Sequence, residues 1–369
     1  MCSESNTDNH FIQKANNASH SLVANPRSPL SSPGSLYHPV TIGSLELPGN
    51  LFLAPVAGYT DRAFRSICSD YGADFSFTEL ASAEALTRGG KATYDLVRRG
   101  ENEKRYAVQL FGHDPLTMYR AALILEPLHP EAVDINCGCP VLKVIKTGAG
   151  SALMKEPSLL GRIVESVVRA AEEVLGGIPV TVKMRSGWDL KTLSYRECAR
   201  IAAEAGASMV TLHPRTKAQG YGGKSDWSHI ADLASRLVIP VTGSGDLYSP
   251  EDAGRMLGET GCAAIMFARG AEGNPFIFRA ARSFLNAGTW QPAPYEERIK
   301  TAFRHLCMLA DDIGEKAACR EMRKQFCVYT KAPPGKKGEP GSAALRNRLV
   351  HAETIEDYGN ILNMDLNGK

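Results

Sequence analysis

Residues 132–140 read Ala-Val-Asp-Ile-Asn-Cys-Gly-Cys-Pro, a short apolar run that leads directly into a turn. The run from Ala132 to Ile135 predicts a buried strand, and Gly138 and Pro140 are typical of a tight turn. A thiol that turn residues hold at the end of a strand, such as that of Cys139, is placed for chemistry rather than for packing. The alternative that this motif leaves open is a structural turn with an incidental buried cysteine.

The same pattern of a short apolar run recurs along the chain and predicts eight strands. Helix-like stretches with apolar residues at three- and four-residue spacing separate most of them, as at Leu159, Ile163 and Val167. Eight such units predict a parallel (β/α)8 TIM barrel, since the alternative, a doubly wound open sheet, usually has fewer strands. The strands are expected at Leu51–Ala54, Phe75–Phe77, Ala107–Phe111, Ala132–Ile135, Val180–Met184, Met209–His213, Val238–Thr242 and Ala263–Ala268.

The chain has 369 residues, of which 43% are hydrophobic and 22% charged. This allows a barrel of roughly 250 residues and a smaller appendage. No apolar run approaches the roughly 18 residues that a membrane span requires, and no signal peptide is recognisable. Nine cysteines without zinc-type spacing fit a reducing compartment. We therefore expect a cytoplasmic protein with no membrane partner and no metal site.

Composition divides the chain into three parts. Residues 1–38 are rich in Ser, Asn and Pro and predict a disordered tail. Residues 39–290 carry the barrel pattern, and residues 291–369 predict a smaller C-terminal helical domain. Within that domain, residues 296–350 contain twelve Lys and Arg but seven Asp and Glu, whereas the whole chain has a net charge of only +2. This excess is compatible with a polyanionic partner, although a solvated helical surface explains the charge equally well.

Polar, glycine or basic residues follow seven of the eight predicted strands. In a TIM barrel the carboxyl ends of the strands form the active site. The sequence therefore predicts that these residues converge on one site. The candidates are Pro55, Val56, Ala57, Gln109, Asn136, Cys139, Lys183, Arg185, His213, Arg215, Ser244, Gly245, Asp246, Ala268 and Arg269.

Individual candidates allow several interpretations. The turns at residues 243–245 and 269–271 follow strands seven and eight, the usual phosphate site of a barrel. Lys183 ends an otherwise apolar strand and is either a Schiff-base lysine, a cation beside an anionic cofactor, or a lysine that reaches out to solvent. Gln109 either binds the edge of a heterocycle or is a core amide with its hydrogen bonds satisfied. His213 is either a ligand donor or a strand cap.

Taken together, the motifs resemble the tRNA-dihydrouridine synthases, most closely the bacterial B-type branch. They run in the order of that family over residues 45 to 350. The matching segments are residues 54–61, 64–65, 109–112, 134–140, 148–153, 182–189, 213–216, 219–223, 226–227 and 273–278.

The resemblance implies a barrel that binds FMN, a helical domain that helps to hold tRNA, and NADPH as the electron donor. It places Cys139 at the position of the proton donor. By the same resemblance, Pro55, Val56 and Ala57 lie against the flavin, Gln109 and Lys183 contact its ring, and Ser244, Gly245, Asp246, Ala268 and Arg269 hold its ribityl or phosphate groups. The expected substrate and tRNA contacts are Asn136, Lys143, Lys146, Arg185, His213 and Arg215.

Three positions depart from the family pattern. Val56 replaces the usual Met, and Ser244 replaces an Asn and so removes an amide donor. Cys137 adds a second thiol, which we expect to point away from the site, although a disulfide with Cys139 or an exchanged role is an alternative.

Three other functions remain open from the sequence. The first is a flavin-dependent barrel that reduces a free pyrimidine or another small molecule. The second is a tRNA-binding or tRNA-folding protein whose catalysis is secondary. The third is a flavin-free aldolase with Lys183 as the Schiff base, which leaves Cys139 unexplained.

Overall fold

Eight parallel strands close into a barrel in the computed structural model, which describes residues 36–331 and 342–367. Each strand pairs with the next one along the chain, and the eighth pairs with the first. The predicted TIM barrel is thereby confirmed. The barrel strands are β1 (Leu51–Leu53), β2 (Phe75–Phe77), β3 (Tyr106–Phe111), β4 (Ala132–Cys137), β5 (Val180–Gly187), β6 (Met209–Thr216), β7 (Val241–Ser244) and β8 (Ala264–Phe267).

Helices follow every barrel strand and form the outer layer. Several begin at the side-chain caps that the sequence provides: Asp61 accepts a hydrogen bond from Phe64 N, and Ser249 and Asp252 form a reciprocal capping box. The helices after the strands are α1 (Arg62–Asp70), α2 (Ala83–Thr87), α3 (Lys91–Leu96), α4 (Pro115–Leu123), α5 (Leu142–Ile145), α6 (Pro157–Val174), α7 (Tyr195–Glu204), α8 (Ser228–Arg236), α9 (Pro250–Thr260) and α10 (Ile277–Ala287).

A β-hairpin that the sequence analysis did not anticipate seals the amino-terminal end of the barrel. Its strands, Val40–Ile42 and Leu45–Leu47, are antiparallel, and their apolar side chains pack against inward-facing residues such as Phe75 and Met209. A two-residue strand, Ala81–Ser82, also lies beside β3. The amino-terminal end of the barrel interior is therefore an apolar core, which leaves the carboxyl-terminal end for polar side chains.

Among the described residues, the C-terminal part contains four helices: α11 (Tyr295–Ile313), α12 (Glu315–Tyr329), α13 (Ser342–His351) and α14 (Ile355–Asn367). Helix α11 packs against α1 through His305, which is fully buried. The His305 ring stacks on Phe64 with centroids 5.4 Å apart, and its Nε2 lies 3.3 Å from an Asp61 carboxylate oxygen. The predicted helices between Tyr295 and Tyr329 are present, and the last helical segment consists of two helices.

Several boundaries differ from the sequence-based expectation, most of them by one to three residues at a strand end. The seventh strand begins at Val241 rather than Val238, because Val238 lies on the surface, 72% exposed, ahead of Pro240. The expected tail lies largely outside the described residues, but Tyr37 donates a hydrogen bond to Asp74 over 2.8 Å and is part of the packed structure. The predicted Pro/Gly/Lys-rich break falls mostly on residues 332–341, outside the described residues.

Within the described part of the chain, no helix is both long and apolar enough to cross a membrane.

Candidate active site

A cavity of about 550 Å³ opens at the carboxyl ends of the barrel strands. Residues from the ends of β1, β4, β5, β6, β7 and β8 line it, so most of the sequence-predicted residues do converge. Those that line the cavity are Pro55, Val56, Ala57, Asn136, Cys139, Lys183, Arg185, His213, Ser244, Gly245, Asp246, Ala268 and Arg269.

Four predicted residues do not line this cavity. Gln109 is fully buried beneath it, and Lys143 and Lys146 are exposed on and just after α5. Arg215 is 2% exposed, and all five of its N–H donors are used within the protein. They bond to Gly222 O, His213 Nε2, Ser225 Oγ, Gly223 O and the Asp246 carboxylate. The guanidinium of Arg215 therefore holds the loop after β6 and has no donor left for a direct contact with RNA.

The loop that carries Cys139 is held from two sides. The Asn136 side-chain oxygen accepts hydrogen bonds from Cys139 N at 2.9 Å and from Gly138 N at 3.2 Å. On the other side, Arg185 Nε donates to Gly138 O over 2.9 Å. The backbone of Cys139 is therefore fixed, and its half-buried side chain lies on the cavity wall.

The electrostatics of the cavity keep this thiol protonated. Burial raises the pKa of Cys139 above its usual value, and the nearby charges of Arg185 and Lys183 offset only part of that effect. Cys137, by contrast, is fully buried in the layer between barrel and helices, and both cysteines are free thiols. The expectation that Cys137 points away from the site is confirmed.

A buried polar network connects the Cys139 loop to the barrel interior. Asn136 Nδ2 donates to Gln109 Oε1 over 2.8 Å, and Gln109 Nε2 donates to Asp134 over 2.7 Å. The hydroxyl of Thr181 donates to the other Asp134 oxygen over 2.5 Å. Because all of these groups are buried, each hydrogen bond fixes the orientation of the next side chain. Gln109 thus acts on the site through Asn136.

Lys183 and His213 face the cavity from adjacent strands. Burial, together with the charge of Arg185, lowers the pKa of Lys183 to about 8, although Asp134 favours the charged form. Burial also lowers the pKa of His213 to about 2, with the cations Arg185 and Lys183 contributing. At neutral pH the cavity therefore presents a lysine ammonium beside a neutral imidazole.

The loops after β7 and β8 form a backbone cradle at one end of the cavity. Gly245 has φ 106°, and an added Cβ would lie 2.5 Å from Ser225 Oγ. A Cβ on Gly270 would lie 2.1 Å from Leu247 O, so this glycine lets the two loops pack against each other, although it does not itself line the cavity. Arg269 lies at the same end, with Nη2 3.2 Å from an Asp246 oxygen. Backbone that only glycine permits, beside a partly exposed arginine, is the chemistry of a phosphate site.

Two tyrosines that we did not select from the sequence also line the cavity. The Arg269 guanidinium lies 4.7 Å from the ring centroid of Tyr221 and 5.3 Å from that of Tyr248. Tyr221 is 60% exposed, although it lies at the mouth of a site. Its place in the Gln219–Gly223 motif was the available signal, but a sequence does not show over which cavity a loop residue extends.

Solved structures similar to this chain share its fold at low sequence identity. A 2-naphthoyl-CoA reductase has a TM-score of 0.51 and 12% identity over 66% of this chain and 51% of its own. A 6-hydroxypseudooxynicotine amine oxidase from Pseudomonas geniculata also has a TM-score of 0.51, with 14% identity over 72% of this chain and 52% of its own. These similarities concern the fold alone.

Sequence comparison is more specific. The family model described as dihydrouridine synthase matches residues 52–366. A probable tRNA-dihydrouridine synthase of Treponema pallidum is 47% identical over 333 residues, which cover 89% of this chain and 96% of that protein. The tRNA-dihydrouridine synthase B of Pseudomonas aeruginosa is 37% identical over 80% of this chain and 88% of its own. The chain therefore belongs to the dihydrouridine synthase family and is similar to its bacterial B-type members.

Proposed function

We propose that this protein reduces the C5–C6 bond of specific uridines in tRNA, with FMN as the bound cofactor and NADPH as the electron donor. The observation that carries the proposal is the convergence of a protonated Cys139 thiol, the Lys183 ammonium and a glycine-lined anion cradle on one cavity. The names of the relatives supply the substrate class.

The residues of the cavity fit a flavin mononucleotide. The backbone cradle around Gly245, with Arg269, would hold the phosphate. The apolar strip Pro55–Ala57 would lie against the ring, and a valine at position 56 suits a flat apolar face. The Ser244 hydroxyl donates to Met266 O over 3.0 Å, so it supports the barrel wall. Bound there, FMN would carry a hydride from NADPH to C6 of uracil.

Cys139 would donate the proton that completes the reaction. When a hydride adds to C6, C5 becomes electron-rich and takes a proton from the thiol, which leaves a thiolate for the solvent to reprotonate. A thiol with a raised pKa holds its proton until this step. The charges of Arg185 and Lys183 would then stabilise the thiolate.

Lys183 would hold the negative charge that develops on the cofactor side of the cavity. Its pKa of about 8 leaves it mainly protonated at neutral pH, and an anionic neighbour would raise that value. His213, as a neutral imidazole, would act as a hydrogen-bond partner rather than as an acid.

The RNA must present its uridine out of the base stack, because the cavity lies inside the barrel mouth. Extruding a base costs a few kcal/mol, and least for a nucleotide already in a loop. The exposed lysines Lys143 and Lys146 and the helical segment 291–369, through its basic part at residues 296–350, would contact the tRNA backbone. We place the reaction in the cytoplasm, because the eight cysteines in the described part of the chain are all free thiols.

Nucleoside mass spectrometry on unmodified tRNA, incubated with the purified protein, FMN and NADPH, tests the proposal. We expect a mapped uridine to gain two hydrogens. NADPH oxidation with no mass gain on any tRNA uridine would refute it.

The competing function is the reduction of a free pyrimidine. It is tested in the same assay by offering uracil, uridine and uridine monophosphate in place of tRNA. We expect no turnover on these small substrates, because a free pyrimidine makes none of the backbone contacts that the exposed Lys143 and Lys146 would offer to tRNA. Turnover on free uridine comparable with that on tRNA would favour the alternative.

A further inference from the structure

Three neighbouring loops at the barrel mouth carry an uncompensated positive charge. They follow β4, β5 and β6 and comprise residues 138–156, 188–194 and 217–227; we call them the β4–β6 lip. The lip contains three carboxylates, Glu156, Asp189 and Asp226, and six lysines, Lys143, Lys146, Lys155, Lys191, Lys217 and Lys224.

None of these lysines forms an ion pair within the part of the chain that the structure describes. Lys91, Lys300 and Lys324, on other surfaces, are each paired with a carboxylate. Asp189 is engaged in hydrogen bonds within its own loop, and Asp226 bonds to Ser228. The lysine charges of the lip are therefore available to an external anion.

The lip also exposes apolar and aromatic side chains. Among the large hydrophobic residues that reach solvent, Val141, Leu142, Leu190, Leu193 and Tyr221 all lie on it, each between 43% and 68% exposed. A surface that combines lysines with exposed flat or apolar side chains matches unstacked nucleic acid, which offers both phosphates and base faces.

Trp188 is the centre of this surface. The Lys155 ammonium lies 3.5 Å from the centroid of the Trp188 ring, and the Lys217 ammonium lies 4.4 Å from it. One lysine comes from the loop after β4 and the other from the loop after β6. The indole attracts each cation, but the two cations repel one another. The phosphates of a bound strand lower the repulsion between the two cations and gain charge-assisted contacts with them.

The lip is held in shape by hydrogen bonds between its loops. Lys217 N donates to Gly187 O and Ala218 N donates to Trp188 O, both over 2.9 Å. Ser194 Oγ donates to Met154 O over 2.8 Å. Arg185 joins Gly138 O and Gly220 O, which belong to the loops on either side. A surface ordered in advance binds its partner with a smaller entropic cost.

The opposite side of the mouth has the reverse charge balance. There, between the barrel and helices α11 and α12, a second cavity of about 340 Å³ is lined by more acidic than basic side chains. The acids are Asp61, Glu79, Asp95, Asp312 and Glu321, and the bases are Arg62, Arg98 and Lys324. A polyanion is disfavoured in that cavity and favoured on the lip.

We propose that the β4–β6 lip, with Lys155, Trp188 and Lys217 at its centre, is the RNA-binding surface that fixes the segment flanking the target uridine. This inference rests on the proposed function for the identity of the RNA. The lip sets affinity and position, while Cys139 and Lys183 serve the chemistry inside the cavity.

The test measures binding of unmodified tRNA to the full-length protein as a function of KCl concentration. In the double variant Lys155→Gln/Lys217→Gln we expect Kd to rise by about tenfold or more at low salt. The slope of log Kd against log salt should fall by about 1 to 2, since each lost phosphate contact removes about 0.7 to 0.9. The matched control is Lys104→Gln/Arg162→Gln, which removes the same charge from exposed positions outside the lip and should leave both quantities unchanged.

The outcomes separate this proposal from the proposed function. If the wild-type protein binds tRNA but forms no dihydrouridine, the proposed function fails, while the salt slope still tests the lip. An unchanged Kd and an unchanged salt slope in the lip variant overturn the proposed role of the β4–β6 lip. An equal loss of tRNA affinity in the control variant overturns it as well. Absence of tRNA binding by the wild-type protein also overturns it. Equal unfolding midpoints for all variants exclude misfolding as the cause of a loss.

Discussion

Asn136 Nδ2 donates a hydrogen bond to Gln109 Oε1 over 2.8 Å, and this contact fixes how the Cys139 loop is held. Since Gln109 uses its oxygen here, its Nε2 must face Asp134, as it does at 2.7 Å. Since Asn136 uses its nitrogen, its oxygen is available for Cys139 N and Gly138 N. Two amides thus connect the buried carboxyl group of Asp134 to the loop that carries the reactive thiol, and neither amide can rotate without losing partners.

The first prediction concerns this connection. Asn136→Ala removes the acceptor for two backbone N–H groups and leaves Gln109 Oε1 without its donor. We expect a destabilisation of about 1–3 kcal/mol by urea unfolding and a fall in dihydrouridine formation of about tenfold or more, with flavin still bound. Asn102→Ala is the control, because it removes an amide that bonds to Ser66 O away from the cavity. An equal fall in product with Asn102→Ala would contradict a specific role for Asn136.

The second prediction separates the two neighbouring thiols. Cys139→Ala should abolish dihydrouridine formation while flavin absorbance and tRNA binding persist, because only the proton donor is lost. Cys137→Ala is the matched control: it removes a buried thiol from the core and should cost modest stability but keep the product. Mass spectrometry of the treated tRNA measures dihydrouridine formation by both variants. Undiminished turnover by Cys139→Ala would refute the role of proton donor.

The sequence was sufficient for the fold and for most of the cavity, since both follow from local patterns. The eight apolar runs fix the strands, and parallel strands of a barrel must place their carboxyl ends together. The sequence could not reveal the five internal bonds of Arg215, because its partners at Gly222, Ser225 and Asp246 depend on how two loops meet. The position of Tyr221 over the cavity also depends on how the loops meet, so the sequence could not reveal it either.

The N-terminal hairpin was missed for a related reason. Val40–Ile42 and Leu45–Leu47 are three residues each, too short for an alternating pattern to be recognised. What makes them ordered is the open end of the barrel, whose apolar residues they cover. Such a contact between distant parts of the chain has no local signature.

The third prediction tests the glycine cradle. Gly245→Ala combines a left-handed φ of 106° with a Cβ position 2.5 Å from Ser225 Oγ and 2.7 Å from His213 Cδ2. Gly89→Ala is the control, since it has φ 72° and open space around the added Cβ. We expect about 1–2 kcal/mol of destabilisation for Gly89→Ala and clearly more for Gly245→Ala, with flavin binding weakened only in the latter. Equal unfolding free energies and equal flavin affinity for the two variants would show that the cradle is not constrained.

The fourth prediction concerns the pH dependence of stability. Burial raises the pKa of Asp134 from 3.8 to about 7, although bonds from Thr181 and Gln109 favour the charged form. The folded protein therefore binds a proton more tightly than the unfolded chain between pH 4 and pH 7, and this group makes stability fall as pH rises through that window. In Asp134→Asn the fall disappears, because an amide does not titrate between pH 4 and pH 7. The amide can still accept from Gln109 and donate to Thr181, so the network is kept.

The free energy of unfolding of Asp134→Asn relative to wild type should consequently increase from pH 4 to pH 7 and then level off, by urea titration at each pH. Asp95→Asn serves as the comparison, since its exposed carboxyl has a pKa lowered mainly by a hydrogen bond from Lys91. That shift acts below pH 4, so the Asp95 variant should run parallel to wild type across the window. A constant difference between Asp134→Asn and wild type would mean that Asp134 keeps an ordinary pKa despite its burial, and that the amide network rests on a carboxylate charged at every pH tested.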